Sequence, residues 1–102
     1  MKRVKHIAFF EFKPECTAED IADVWRIMEH LTKVIPGILN LTYGENTSTE
    51  GLSDGFTWSF VMLFENAAAR DAYLPHPAHQ DAVQKVVPRL TRVIVCDQEC
   101  EA

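Results

Sequence analysis

The stretch Phe56-Thr57-Trp58-Ser59-Phe60-Val61-Met62-Leu63-Phe64-Glu65 alternates with a period of two, the signature of a strand. Phe56, Trp58, Phe60, Met62 and Phe64 fall on one face. Thr57, Ser59, Val61 and Leu63 fall on the other. Residues 4–13 repeat the pattern, with Val4, His6, Ala8, Phe10 and Phe12 one way and Ile7 and Phe9 the other. Pro14 ends this strand, because proline cannot donate to a ladder. Both strands are apolar on two faces, so the sheet they build needs cover on both sides.

The remaining elements read from periodicity and punctuation. Thr17 is a cap, with Glu19 and Asp20 suited to the positive end of a helix. Ile21, Val24, Trp25, Met28, Leu31 and Ile35 recur at spacings of three and four, and Pro36-Gly37 closes the helix. Residues 38–43 form a second strand. Residues 44–55 are too polar and Gly-rich for a regular element, which makes them either a functional loop or a solvated hairpin connection. Asn66 caps a short helix through Tyr73, which Pro75 breaks. Pro77 opens another helix running to about Val87. Residues 91–97 are the last strand, and 98–102 an acidic, frayed tail.

The order β-α-β-β-α-β predicts an α+β, ferredoxin-like protomer, with a four-stranded antiparallel sheet and helices on one face. At 102 residues it is a single domain, residues 1–102, whose core alone is marginal. Two helices cover one face only. Ile7, Phe9, Val61 and Leu63 then form a bare apolar patch, which monomers rarely tolerate. The expected cover is a second copy packed sheet to sheet about a two-fold axis.

Ten Lys+Arg against fifteen Asp+Glu give a formal charge of −5. That balance lacks the basic footprint of a nucleic-acid or anionic-membrane binder. The apolar run near the start is too short for a signal peptide or a membrane span. Three cysteines, an odd number without a secretion signal, predict a reducing, cytoplasmic setting. Cys16 or Cys96 is expected as a buried small hydrophobe, with Cys100 on an exposed tail. Cys96 and Cys100 lack the second half of a zinc site.

Chemistry concentrates in Tyr73-Leu74-Pro75-His76-Pro77-Ala78-His79. His79 falls in the first turn of a helix, whose positive end disfavours imidazolium and leaves a neutral ring, as a general base requires. Tyr73 ends the preceding helix and can bring its hydroxyl nearby. His6 is buried by pattern in the first strand, where a satisfied core histidine is the structural alternative. A metal site on His76, His79 and Asp81 lacks a complete ligand set, so none is assigned. No phosphate loop, nucleophile elbow or dinucleotide fingerprint is present, and no cofactor is expected.

Several stretches together resemble the stress-responsive dimeric α/β barrel (Dabb) family. They are Val4-Lys5-His6-Ile7, Ile35-Pro36-Gly37, Glu50-Gly51, Gly55-Phe56-Thr57, Phe64-Glu65 and Asp71-Ala72-Tyr73-Leu74-Pro75-His76-Pro77-Ala78-His79. The Tyr-x-x-His-Pro-x-His stretch is the most specific, and the likeness covers nearly the whole chain. It implies a ferredoxin-like protomer in a sheet-to-sheet homodimer. Some members are stress-induced proteins without assigned activity. One branch, the olivetolic acid cyclases, closes a polyketide by aldol condensation, with a His base and a Tyr partner. The resemblance places these roles on His79 and Tyr73, with His6 as the first-strand histidine. It also implies a pocket between sheet and helices, with Ala8, Phe10, Val24, Trp25, Met28, Trp58, Phe60, Met62 and His76 on its walls. Trp58 stands where the cyclases have a pocket histidine, and Met28 where they have a tyrosine, so the pocket is expected to be smaller or drier. The expected activity is a cofactor-free cyclase- or isomerase-like proton transfer on a small, largely apolar molecule. The alternative is a non-enzymatic stress-responsive dimer with structural histidines.

Overall fold

Alternation and a proline stop produce β1 (Lys2–Phe12), in which Val4, His6, Ala8 and Phe10 are buried. The computed structural model describes residues 1–101. Helix α1 (Ala18–Val34) starts at a reciprocal cap: Thr17 Oγ1 accepts from the Asp20 backbone N–H at 3.1 Å, and the Asp20 carboxylate accepts from that of Thr17 at 2.9 Å. Val24, Trp25, Met28 and Leu31 give α1 its buried stripe. Gly37 then turns the chain at φ +91°, and a Cβ there would lie 2.6 Å from that of Ala69. Only glycine meets both demands.

Strand β2 (Ile38–Glu45) follows, then β3 (Trp58–Phe64). Asn66 caps α2 (Ala67–Tyr73), its side-chain oxygen accepting from the Ala69 backbone N–H at 2.8 Å. Pro77 opens α3 (Pro77–Val86), and a 3-10 turn at Val87–Arg89 leads into β4 (Leu90–Glu101). The sheet order is β2-β3-β1-β4, antiparallel throughout. The ferredoxin-like arrangement is therefore present, with the expected second helix divided at Pro75. The core lies between the helices and the inner face, built from Phe10, Trp25, Leu31, Phe60, Met62, Phe64 and Tyr73 among others. Among the described residues no helix is long and apolar enough to cross a membrane.

Three expectations are corrected. Residues 98–101 are not a frayed tail: they continue β4, with Gln98 opposite Lys5 and Glu101 opposite Lys2. β1 begins at Lys2 and supplies the ladder that a tail would lack; Ala102 lies outside the described residues. Phe56 does not join the aromatic face of β3. Positive φ at Asp54 (49°) and Gly55 (85°) turns the chain before the ladder starts at Trp58. Phe56 instead packs edge-on against Phe9 at 6.4 Å, with the Arg92 guanidinium 4.5 Å over its ring. Finally, Cys96 is exposed rather than buried and Cys100 is partly buried; all three cysteines are free thiols.

The loop 46–57 is pinned at both ends. Asn46 bonds Ser53 at 2.7 Å and the Ser48 backbone N–H at 2.9 Å. Arg92 reaches Glu11 at 2.6 Å and Asp54 at 3.0 Å. On the outer face of the sheet, Ile7, Val61 and Leu63 are partly exposed and Phe9 and Ile94 more so.

Candidate functional site

The Pro-flanked segment after α2 builds one end of a cavity. Tyr73 closes α2 and is 1% exposed. His76 caps α3, its Nδ1 accepting from the Ala78 backbone N–H at 3.0 Å. His79, in the first turn, approaches the Leu74 carbonyl through Nδ1 at 3.0 Å. A carbonyl can only accept, so Nδ1 carries the hydrogen, and in the neutral ring Nε2 keeps its lone pair.

The rings of Tyr73 and His79 lie 4.1 Å apart, tilted by 39°. Burial disfavours the charged form of His79 and lowers its pKa. The Leu74 hydrogen bond opposes that shift, and the nearby His6 and His76 reinforce it. Burial also pushes the Tyr73 hydroxyl well above the usual phenol range. The result is a base held neutral beside a hydroxyl held protonated.

His6 enters from the sheet. Its ring lies 5.8 Å from that of Tyr73, and its Nδ1 meets Asp97 at 2.7 Å. His6 and Asp97 are opposite one another across the β1–β4 ladder, so the register puts both side chains on the inner face. The second carboxylate oxygen of Asp97 accepts from Arg70 at 2.7 Å. Burial alone would raise the Asp97 pKa, but the Arg70 and His6 hydrogen bonds outweigh it and hold the carboxyl below its usual range. Arg70 is braced in turn by Asp71 at 2.8 Å. This chain of bonds fixes the His6 ring at the cavity wall, much as outer partners fix a ligating or catalytic imidazole.

The cavity behind these three side chains encloses about 390 Å³. His6, Ala8, Phe10, Met28, Phe60, Tyr73 and His79 line it. Five expected wall residues do not. Val24 and Met62 are packed into the core at 0% exposure, behind the wall. Trp25 and Trp58 line a separate groove, because Trp25 is stacked between Phe10 at 5.6 Å and Tyr43 at 4.5 Å. His76 spends its Nδ1 on the helix cap. The opposite wall was not anticipated: Leu74, Ala82, Val83, Val86, Val87, Leu90, Val93 and Val95. The signal was available for α3 and the turn that follows it, where Ala82, Val83, Val86 and Val87 recur at one, three and four residues. Asp97 was also missed, since its role rests on a register across 91 residues of sequence.

The cavity therefore has one polar end, made by Tyr73, His79 and His6, and an apolar remainder. Among the described residues no Lys, Arg, Asp or Glu lines its walls. Such a site suits a neutral, mostly apolar molecule with one polar group directed at the Tyr–His pair.

Comparison with known proteins agrees in family and fold. Residues 4–100 match the family model described as Stress responsive A/B Barrel Domain. The stress-response A/B barrel domain-containing protein HS1 of Arabidopsis thaliana is 30% identical over 94 residues, spanning 92% of this chain and 86% of that one. A dimeric ferredoxin-like protein of unknown function from Jannaschia sp. superposes with a TM-score of 0.85 at 27% identity, covering 96% of this chain and 99% of the other. A hydroxynitrile lyase from Passiflora edulis has a TM-score of 0.90 at 19% identity, covering 97% and 94%, and shares the fold.

Proposed function

The chain belongs to the stress-responsive A/B barrel domain family, and we propose that it acts as a homodimer whose protomers each bind a small, neutral, largely apolar molecule and move a proton on it. The observation that carries this is Tyr73 beside His79, ring to ring at 4.1 Å, at the one polar end of an apolar cavity.

His79 is the base. Its Nδ1–H is held by Leu74, so Nε2 is the nitrogen that accepts a proton, and its lowered pKa keeps it unprotonated near neutral pH. Tyr73 stays protonated and donates a hydrogen bond to a carbonyl oxygen as negative charge develops there. His6, oriented by Asp97, borders the same end and orients the bound group. Proton abstraction next to a carbonyl, followed by ring closure or isomerisation, needs no group beyond these.

The homodimer rests on the outer sheet face. Ile7, Phe9, Val61 and Leu63 form its apolar centre, flanked by Ile94. A second copy buries it more economically than any internal element, since every helix of the chain is on the other side. The free thiols fit a reducing, cytoplasmic compartment.

A small-molecule binding screen on wild type and His79→Ala tests the activity. Uncharged carbonyl compounds are expected to bind wild type and to lose affinity or turnover in the variant, with the melting temperature little changed. If no compound distinguishes the two proteins and the variant melts earlier, the histidine is structural. The protein is then a non-enzymatic stress-responsive dimer, a role that the capping bond of His76 and the Asp97 bond of His6 already fit.

A further inference from the structure

A second recess lies on the other side of α1, away from the Tyr73–His79 cavity. It runs between α1 and β2, encloses about 600 Å³, and is lined by Trp25, Tyr43 and Trp58 together with Glu29 and Glu45. Tyr43 and Glu45 are two residues apart on β2 and so share its inner face. Ala18 and Ala22 on the facing side of α1 are small, which keeps the recess open.

We propose that this groove binds a small methylated ammonium ion against the aromatic rings of Tyr43 and Trp58, with the carboxylates of Glu29 and Glu45 supplying the counter-charge. Three observations on the rings, and the charges around them, carry it. Trp25 lies parallel to Tyr43 at 4.5 Å and 4°, and Trp58 lies 5.6 Å from Trp25, so the three rings form one continuous aromatic wall. Tyr43 keeps 40% of its surface exposed, which leaves ring surface for a cation. The Tyr43 hydroxyl donates to Glu29, which pushes electron density into the ring and strengthens its attraction for positive charge.

The charges around the groove are arranged for an incoming cation. Among the described residues neither Glu29 nor Glu45 has a basic side chain within ion-pairing distance. Arg26, the only basic residue on the wall among the described residues, is turned to Glu19 at 2.8 Å and Asp23 at 3.4 Å. The protein's own guanidinium thus leaves the aromatic surface vacant.

The chemistry selects among cations. A bare metal ion wants several oxygen or nitrogen ligands, and among the described residues no cluster of three His, Cys, Asp or Glu is present. A primary ammonium loses strong hydration on meeting aromatic walls. A methylated ammonium is weakly hydrated and presents a broad, positive, apolar surface, which is what aromatic walls with carboxylates nearby recognise. This assignment is independent of the proton-transfer reading, because the two recesses have no lining residue in common.

The test titrates choline and its neutral carbon isostere, 3,3-dimethylbutan-1-ol, into the intact protein at millimolar concentration. The indole N–H signals of Trp25 and Trp58 and the amides of Tyr43 and Glu45 are followed by NMR. Choline is expected to shift these signals, with the alcohol weaker by roughly tenfold. The double variant Glu29→Gln, Glu45→Gln is expected to lose the preference for the cation while melting as wild type. Equal binding of the alcohol, no shift with either compound, or shifts confined to Tyr73 and His79 would each overturn the proposal.

Discussion

Tyr73 and His79 lie ring to ring at 4.1 Å, tilted by 39°, although two prolines and a helix boundary separate them in sequence. Pro75 stops α2, and the Leu74 carbonyl it frees is taken up by the His79 ring and by the Gln80 amide at 3.0 Å each. The helix break is therefore what positions the pair.

The first prediction concerns pH. The folded pKa of His79 lies below its unfolded value of 6.5. As pH falls through 6.5 the unfolded chain takes up the proton first, so stability drops from there until the folded pKa is passed. A urea titration of wild type and His79→Gln between pH 7.5 and pH 5.5, conditions bracketing that value (about one unit either side), is expected to show the steeper loss in wild type. Equal slopes would mean that the ring is not held neutral.

Tyr73 separates packing from chemistry. Truncation to Ala empties a buried aromatic site and is expected to cost about 3–5 kcal/mol by equilibrium unfolding. Tyr73→Phe keeps the ring against Phe64 (5.0 Å) and His79 and is expected to cost about 1 kcal/mol or less. If the hydroxyl serves a bound carbonyl, the Phe variant loses that function while keeping the fold.

Asp97 stands between Arg70 and His6. Asp97→Ala is expected to destabilise by about 1–3 kcal/mol, because a buried imidazole donor loses its acceptor. The wild-type contribution of this carboxylate is present above its unfolded pKa and is lost as pH falls through its lower folded value. The difference between the two proteins should therefore narrow in acid, which a pair of denaturation series at neutral and acidic pH measures.

Gly37→Ala meets both a positive φ and the Ala69 Cβ at 2.6 Å. A loss of about 1–3 kcal/mol is expected. Adding Ala69→Gly removes the collision but not the backbone strain, so the double variant should recover part of the loss. Full recovery would assign the whole effect to the collision.

The outer face gives a prediction about assembly. Val61→Lys places a charge at the centre of the apolar sheet surface, on the strand next to Ile7. Sedimentation at micromolar concentration should report a two-chain species for wild type and dissociation for the variant. A wild-type monomer under the same conditions would remove the dimer.

Much of this was legible in the chain because alternation in β1 and β3 fixes which residues turn inward without knowledge of any partner. Thr17, Asn66 and Pro77 likewise act within a few residues of themselves, and each caps or opens the helix it announces. Phe56 was not legible: its alternation continues that of β3, but two positive φ values just before it reverse the side chain's destination. Trp25 looked like cavity wall because it is on the buried stripe of α1; Phe10 and Tyr43 take up both of its faces. Asp97 and the Val93–Val95 wall depend on how β4 registers with β1, a relation between distant segments.

That pairing also sets an order of assembly. β1 is the second strand from one edge, yet its neighbour on that edge is the last strand of the chain. During synthesis the cavity has its β1–β3 floor and the α1 side with Met28 well before α3 and then β4 follow, the last supplying Leu90, Val93 and Val95. Asp97 reaches His6 only at that final stage. The recess for a ligand is thus completed by a late event, and a nascent chain cut short before β4 carries the apolar patch of Ile7, Phe9, Val61 and Leu63 without a finished recess behind it.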